Sequence, residues 1–250
     1  MSGMDEVTVS DGEQPGPEPT GKRQRRHLPA WIELPLVIIL AVFLAFLVKT
    51  FIVQIFYIPS GSMENTLLIG DRVAVNKFVY RFSDPERGNV VVFDGVGSFL
   101  DEAAAAPDEG PVVGFVKELG RTVGLVPPPD TVFVKRVIGV GGDRVACCND
   151  QGQITVNGVP IDESAYLYPG DVPSQTPFDV VVPEGKLWVM GDHRSASADS
   201  RAHQGEPGGG FVPVDAVLGK AFAIIWPWDQ IQWVDQPVWA DQLNEETLTP

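Results

Sequence analysis

Thr131-Val132-Phe133-Val134-Lys135-Arg136-Val137-Ile138 runs into Gly139-Val140-Gly141-Gly142-Asp143. The β-branched and aromatic residues predict a strand, and the glycines with Asp143 predict the turn that ends it. Alternation places Phe133 and Lys135 on one face of that strand. Five further runs share the pattern: Arg72-Val73-Ala74-Val75-Asn76, Asn89-Val90-Val91-Val92-Phe93, Gln153-Ile154-Thr155-Val156, Lys186-Leu187-Trp188-Val189-Met190 and Ala221-Phe222-Ala223-Ile224-Ile225. Gly, Pro, Asn and Asp separate them. Asn157-Gly158, between Ile154-Thr155-Val156 and Val159-Pro160-Ile161, is a strong signal for a two-residue hairpin. Residues 53–250 therefore read as one mostly β domain, with 144–185 as a smaller β subregion. Residues 95–130 read as an insertion: they hold Ala103 to Ala106, several acids, a short helical pattern around Val113 to Arg121, and Pro127-Pro128-Pro129. From Tyr168 to Pro183 a polar, Pro-containing segment returns to a strand.

Ahead of the β pattern stands Leu34-Pro35-Leu36-Val37-Ile38-Ile39-Leu40-Ala41-Val42-Phe43-Leu44-Ala45-Phe46-Leu47-Val48, with Trp31 before it and Phe51 to Phe56 after it. An apolar stretch of this length can span the ~30 Å of a bilayer's hydrocarbon core. Lys22, Arg23, Arg25 and Arg26 precede it and little positive charge follows closely, so the positive-inside rule leaves the N-terminus in the cytoplasm and the rest outside. A cleavable signal peptide has the same basic and apolar regions, but no small-x-small site closes this run. A buried core helix is disfavoured by the length and the all-round apolar surface. The preferred reading is one transmembrane anchor over 28–52, behind a tail, 1–27, whose first 21 residues carry five acids and three prolines and almost no large apolar side chains. Such a composition predicts disorder.

The formal charge is −15; five acids and four bases through His27 account for −1 of it and Glu33 cancels Lys49, leaving about −14 on the exported part. That charge argues against nucleic acid as a partner. Cys147 and Cys148 are adjacent, so they are read as a free thiol pair or a vicinal bridge. A Cys-based metal site lacks partners, and no cofactor is expected.

Of three histidines, His27 lies in the tail, and neither His193 nor His203 sits in a recognisable setting for a Ser-His-Asp triad. A serine can instead be activated by a lysine whose pKa falls from ~10.4 toward ~7 to 8 through desolvation. Ser62, in Pro59-Ser60-Gly61-Ser62-Met63 just beyond the anchor, and Lys135, inside its apolar strand, meet that need; the plainer reading of Lys135 is a solvent-facing strand residue. Gly191-Asp192-His193-Arg194-Ser195-Ala196-Ser197-Ala198-Asp199-Ser200-Arg201 packs hydroxyls, carboxylates and guanidiniums into one loop. It reads as a hydrogen-bonded loop that holds a hydroxyl in place, or as an ordinary solvated one.

Taken together, four blocks make the chain resemble the type I signal peptidases (leader peptidases), the Ser-Lys peptidases that remove signal sequences from exported preproteins. In order they are Ile58-Pro59-Ser60-Gly61-Ser62-Met63 with Thr66-Leu67 and Gly70-Asp71; Arg87-Gly88-Asn89 through Phe93; Lys135-Arg136-Val137-Ile138-Gly139 with Gly142-Asp143; and Gly191-Asp192 with Ser197-Ala198-Asp199-Ser200-Arg201. The resemblance spans roughly residues 31 to 225. It implies a β catalytic domain with a small β-hairpin insertion behind one transmembrane helix, in the cell membrane with the catalytic domain extracytoplasmic. Position by position, it implies that Ser62 is the nucleophile, Lys135 the general base and Ser60 an oxyanion donor beside the Ser62 N–H. Ser197 would orient the Lys135 amine, Asp199 and Arg201 would form a supporting ion pair, Asp192 and Arg194 would shape the loop, and Met63 would line the entrance. Phe56, Ile58, Phe133 and Val134 would line pockets for small residues one and three positions before the cut, in substrates of the Ala-x-Ala type. Asn65 departs from a frequent proline and His193 from a common asparagine; neither removes a catalytic group.

Trp226, Trp228 and Trp233 either dip into the outer membrane interface or pack under the β core. Two other classes share part of the pattern. Self-cleaving Ser-Lys peptidases like the SOS repressor peptidases use the dyad but need no anchor, and a noncatalytic membrane-anchored β domain would make the ordered blocks a coincidence.

Overall fold

The computed structural model describes residues 34–41, 44, 52–101, 130–206 and 208–248. The chain divides into two units, residues 1–42 and 43–250. In the first, 34–41 is helical, and Leu34, Leu36, Val37, Ile38, Ile39 and Leu40 are each more than half exposed. No helix among the described residues is long and apolar enough to cross a membrane. The tail 1–27 and most of the expected anchor 28–52 lie outside the described residues.

The second unit is mostly β. Its larger sheet is built from β1 (Val53–Tyr57), β2 (Arg72–Asn76), β3 (Val90–Asp94), β4 (Val132–Val140), β9 (Lys186–Met190), β10 (Val212–Pro213), β11 (Val217–Trp226) and β12 (Gln232–Trp233). They lie in the order β1-β2-β11-β3-β4-β9-β10, with β12 on β11. β3 shows why the central strands read as unbroken apolar runs. Val90 and Val92 pack with Phe56, Ile58, Met63 and Leu67, while Val91 and Phe93 pack with Phe99, Val137, Leu187 and Val189. Both faces are covered, so neither needs polar side chains. β1 corrects the reading of Phe51 to Phe56 as one apolar continuation of the anchor: Val53–Tyr57 pairs antiparallel with β2, burying Phe56 and leaving Ile55 and Tyr57 exposed.

A second sheet, in the order β7-β6-β5-β8, comprises β5 (Arg144–Cys147), β6 (Ile154–Val156), β7 (Val159–Pro160) and β8 (Phe178–Val181). Asn157 at φ +53° and Gly158 at φ +82° make the two-residue turn in which both central residues are left-handed. The expected small hairpin insertion is thus one half of a four-stranded sheet. That sheet shares a core with β4, β9 and a C-terminal helix, Val238–Leu248, through Ile138, Val145, Ile154, Phe178, Trp188, Trp239 and Leu243. Cys147 and Cys148 are joined as a vicinal disulfide. The expected insertion 95–130 begins as core: Phe99 is buried, with its ring edge-on to Phe93 and Phe133. Residues 102–129, including the helical pattern around Val113 to Arg121, lie outside the described residues. Trp226, Trp228 and Trp233 are 42%, 74% and 71% exposed, which removes the reading that packs them under the core.

Candidate active site

Ser62 sits in a single 3-10 turn, Gly61–Met63, that follows the extended backbone of Ser60. The turn is pinned at both ends: Glu64 N donates to Gly61 O at 3.1 Å, Leu67 N to Met63 O at 2.7 Å, and Gly70 N to Ile58 O at 2.9 Å. Ser62 and Met63 are buried, whereas Ser60 is exposed. Asn65 adopts φ +83°, and its Nδ2 donates to Leu167 O at 3.1 Å.

Lys135 leaves β4 toward this turn. Its Nζ lies 2.7 Å from Ser62 Oγ and 3.0 Å from Val134 O. The side chain is 4% exposed, so the solvent-facing reading fails. Burial pulls the amine down from 10.5 to about 8, against the upward pull of the Asp199 and Asp192 carboxylates. Lys135 and Arg136 are consecutive on a strand and serve opposite faces. On the other face Arg136 forks onto Asp192, Nε to Oδ1 at 2.8 Å and Nη2 to Oδ2 at 2.7 Å. Its Nη1 donates to Gly88 O at 3.0 Å, and its guanidinium lies 4.2 Å from the centre of the Tyr166 ring. Thr66 Oγ1 accepts from Arg136 and donates to Asp192.

The register that pairs Arg136 with Met190 brings Gly191 beside Lys135 at the start of the 191–201 loop. A Cβ on Gly191 would stand 2.3 Å from Ser197 Oγ and 2.4 Å from Ser62 O, so no side chain fits there. Gly191 N donates to Asp199 Oδ2 at 2.9 Å. Arg201 grips the same carboxylate through Nε and Nη2, each at 2.8 Å. Burial works to raise the Asp199 carboxyl, but the Arg201 fork, the Gly191 N–H and the nearby Ser197 hydroxyl together leave it below the usual range. Ser197 Oγ is enclosed, next to the Asp199 carboxylate that it helps to keep ionised. The structure therefore places Ser197 beside Gly191 and Asp199 without bonding it to the Lys135 amine. Arg194 pairs with Glu163 and donates to Gly191 O at 2.8 Å.

A cavity of about 220 Å³ opens beside the dyad, lined among others by Phe56, Ile58, Ser60, Met63, Phe133 and Val134. All five residues expected to meet substrate, Phe56, Ile58, Met63, Phe133 and Val134, line it together with Ser62 and Lys135. Among the described residues no cluster of His, Cys, Asp or Glu could hold a metal ion. Several contributors were not assigned from sequence. Arg136 is the partner of Asp192, Glu163 is the partner of Arg194, and Arg87 forms a buried fork with Asp143, Nε at 2.8 Å and Nη2 at 2.6 Å. A cation inside an otherwise apolar strand was the available signal for Arg136; the 31-residue gap between Glu163 and Arg194 left no local pattern.

A family model described as signal peptidase, peptidase S26, matches residues 31–226. A "probable signal peptidase I" of Mycobacterium leprae is 39% identical over 233 residues, covering 83% of this chain and 80% of its own. A "signal peptidase I" of Mycobacterium tuberculosis is 41% identical over 214 residues, covering 78% and 72%. A "probable signal peptidase I-2" of Synechocystis is 35% identical over 210 residues, covering 84% and 80%. With a buried serine and lysine in contact on a mostly β scaffold and these matches along most of its length, the chain belongs to the signal peptidase family, peptidase S26.

Proposed function

We propose that the protein is a membrane-bound serine endopeptidase that removes N-terminal signal peptides from exported preproteins through a Ser62–Lys135 dyad, cutting after Ala-x-Ala-type sites. The observation that carries this reading is the 2.7 Å approach of Nζ to Oγ by an amine that burial has brought to about 8. At pH 7 roughly a tenth of such a lysine is neutral, enough for a general base. Neutral Lys135 takes the Ser62 proton as Oγ attacks the scissile carbonyl. The oxyanion is met by the Ser62 backbone N–H and by Ser60, which lines the same cavity and is worth on the order of 10²-fold in rate. The lysine then protonates the departing amine, and water, deprotonated by Lys135, hydrolyses the acyl-enzyme. Ser197, enclosed between Gly191 and Asp199, is the hydroxyl that receives the ammonium formed in these steps. Asp199 and Arg201 support the loop that carries it.

A cavity of about 220 Å³ walled by Phe56, Ile58, Met63, Phe133 and Val134 offers an apolar surface to small uncharged side chains such as alanine, which supports the Ala-x-Ala reading. The membrane reading draws on two apolar features. One is the exposed apolar side chains of 34–40, which lie within the longer sequence run. The other is an apolar groove of about 480 Å³ lined by Val53, Ile55, Phe222, Ile224, Ile231 and Trp233, with Trp228 nearby in sequence and exposed. Tryptophan and apolar side chains of this kind favour the bilayer interface. The basic residues Lys22, Arg23, Arg25 and Arg26 support a cytoplasmic N-terminus, with the catalytic unit outside. Confinement of enzyme and preprotein to one surface raises their effective concentration.

The test is cleavage of a preprotein with an Ala-x-Ala site by the detergent-solubilised protein, beside Ser62→Ala and Lys135→Ala. Both replacements should abolish cleavage. Persistent cleavage by either refutes the dyad, and no cleavage by the wild type refutes the activity.

A further inference from the structure

His193 touches the nucleophile turn at three points that the dyad chemistry does not itself require. Its backbone N–H donates to Ser62 O at 3.2 Å. Its Nδ1 lies 3.2 Å from Gly61 O and 3.0 Å from Glu64 Oε2. A carbonyl and a carboxylate can only accept, so Nδ1 carries the proton and donates to both. The ring is held flat against Tyr168, with centroids 3.8 Å apart and planes 12° from parallel, and Tyr168 N donates to Asp192 O at 3.0 Å. The Glu64 carboxyl in turn covers Gly61, its atoms 3.0 to 3.1 Å from where a Cβ would stand.

Asn65 gives the physical reason for such a clamp. At φ +83° it occupies a conformation closed to proline, whose ring fixes φ near −65°. The turn after Ser62 therefore cannot take its rigidity from a proline ring, and a left-handed asparagine carries backbone strain that its surroundings must hold. Those surroundings are the segment that bears Leu167 and Tyr168. It receives the Asn65 amide on Leu167 O and stacks Tyr168 on His193, gripping the turn twice.

We propose that His193 is a positioning residue for the nucleophile: with Glu64 and Tyr168 it holds the Gly61–Met63 turn so that Ser62 Oγ stays at Lys135 Nζ. The proposal rests on the dyad reading above. Because displacement of a reacting group by about 1 Å can cost 10²-fold in rate, loss of the clamp should appear in turnover and leave substrate binding nearly unchanged.

The experiment compares full-length wild type, His193→Ala and His193→Asn on a fluorogenic peptide with alanine one and three residues before the cut, alongside thermal unfolding and the pH dependence of kcat/KM. His193→Ala should lower kcat by about tenfold to a hundredfold, with KM within about twofold and the pH midpoint unmoved. His193→Asn, whose amide N–H can donate in the same direction, should recover most of the loss. Unchanged kcat in His193→Ala, a change confined to KM, or equal losses in Ala and Asn variants would each overturn the proposal. Should His193→Ala fail to unfold cooperatively, Tyr168→Leu removes the stack alone; it should lower kcat several-fold, and wild-type turnover there overturns the clamp. Ser62→Ala separates the two levels: residual cleavage by it refutes the dyad, whereas an inactive Ser62→Ala beside a fully active His193→Ala refutes only the clamp.

Discussion

Replacing Lys135 with methionine should make the protein more stable while abolishing catalysis. The lysine is 4% exposed, and burial brings it from 10.5 to about 8 in the folded chain. At about 1.36 kcal/mol per pKa unit, holding the ammonium in the fold costs about 3 kcal/mol at any pH below 8. The unfolded chain keeps this proton up to about 10.5 and the folded chain releases it from about 8. Between those values the unfolded state binds more protons, so wild-type stability rises with pH across that window. Methionine, of similar length, removes the cost at every pH but also loses the bonds to Ser62 Oγ and Val134 O, worth about 1 kcal/mol net. The variant should therefore be more stable by about 2 kcal/mol at pH 6 and by roughly nothing at pH 10. Urea unfolding of both proteins at the two pH values, followed by tryptophan fluorescence, measures the difference. A variant no more stable at pH 6, or a gap that is the same at both pH values, would refute desolvation as the origin of the lowered lysine.

The same lysine sets the pH profile: kcat/KM should rise about tenfold per pH unit below 8 and level off above it, and a profile flat from pH 6 to 9 would contradict Lys135 as base. Arg201→Met should move that midpoint upward, because Asp199, which already pulls the amine up, loses the guanidinium fork that offsets its charge; an unmoved or lowered midpoint would count against the coupling. Asp192→Ala leaves the Arg136 guanidinium, 1% exposed, without its carboxylate and should cost about 3 to 5 kcal/mol in urea unfolding, whereas a cost below about 1 would show that water reaches the charge. Gly191→Ala drives a methyl onto Ser197 Oγ and Ser62 O and should lower kcat by about 10²-fold, with wild-type turnover as the refuting result.

Strands were legible where one residue pattern decided them. Arg72–Asn76 and Lys186–Met190 were read with the bounds they have, because turn residues flank a short β-branched or aromatic core. β1 was absorbed into the apolar run before it, since hydropathy cannot tell an edge strand with one buried aromatic from the end of a span. The C-terminal helix escaped because the buried residues described in it are Trp239, Ala240 and Leu243, set among acids and amides that signal no amphipathic face. The proposed catalytic pair, Ser62 and Lys135, was legible only as members of ordered blocks. Nothing in the run around Lys135 said whether water reaches its amine; burial by neighbours distant in sequence decided that.

Lys135 and Arg136 show what the fold adds to such a pattern. They are adjacent cations in one apolar strand, alike in charge and in burial, yet their environments drive them to opposite chemistry. Arg136 receives a carboxylate fork from Asp192, a carbonyl and an aromatic face, so its charge is fixed and it serves as structure. Lys135 receives a hydroxyl and a carbonyl, neither charged, so its ammonium is poorly supported and the neutral amine becomes accessible. Of the two carboxylates that pull its pKa up, Asp192 is taken by Arg136, and Asp199 is drawn into the Arg201 fork and the Gly191 N–H. Those bonds hold Asp199 as an ion at a distance where it tempers the lysine without capturing it. Had the carboxylate bonded Nζ directly, the ammonium would be favoured and the base lost. The 191–201 loop therefore does two things at once: it closes the site around Ser62, and it sets how much negative charge the lysine feels.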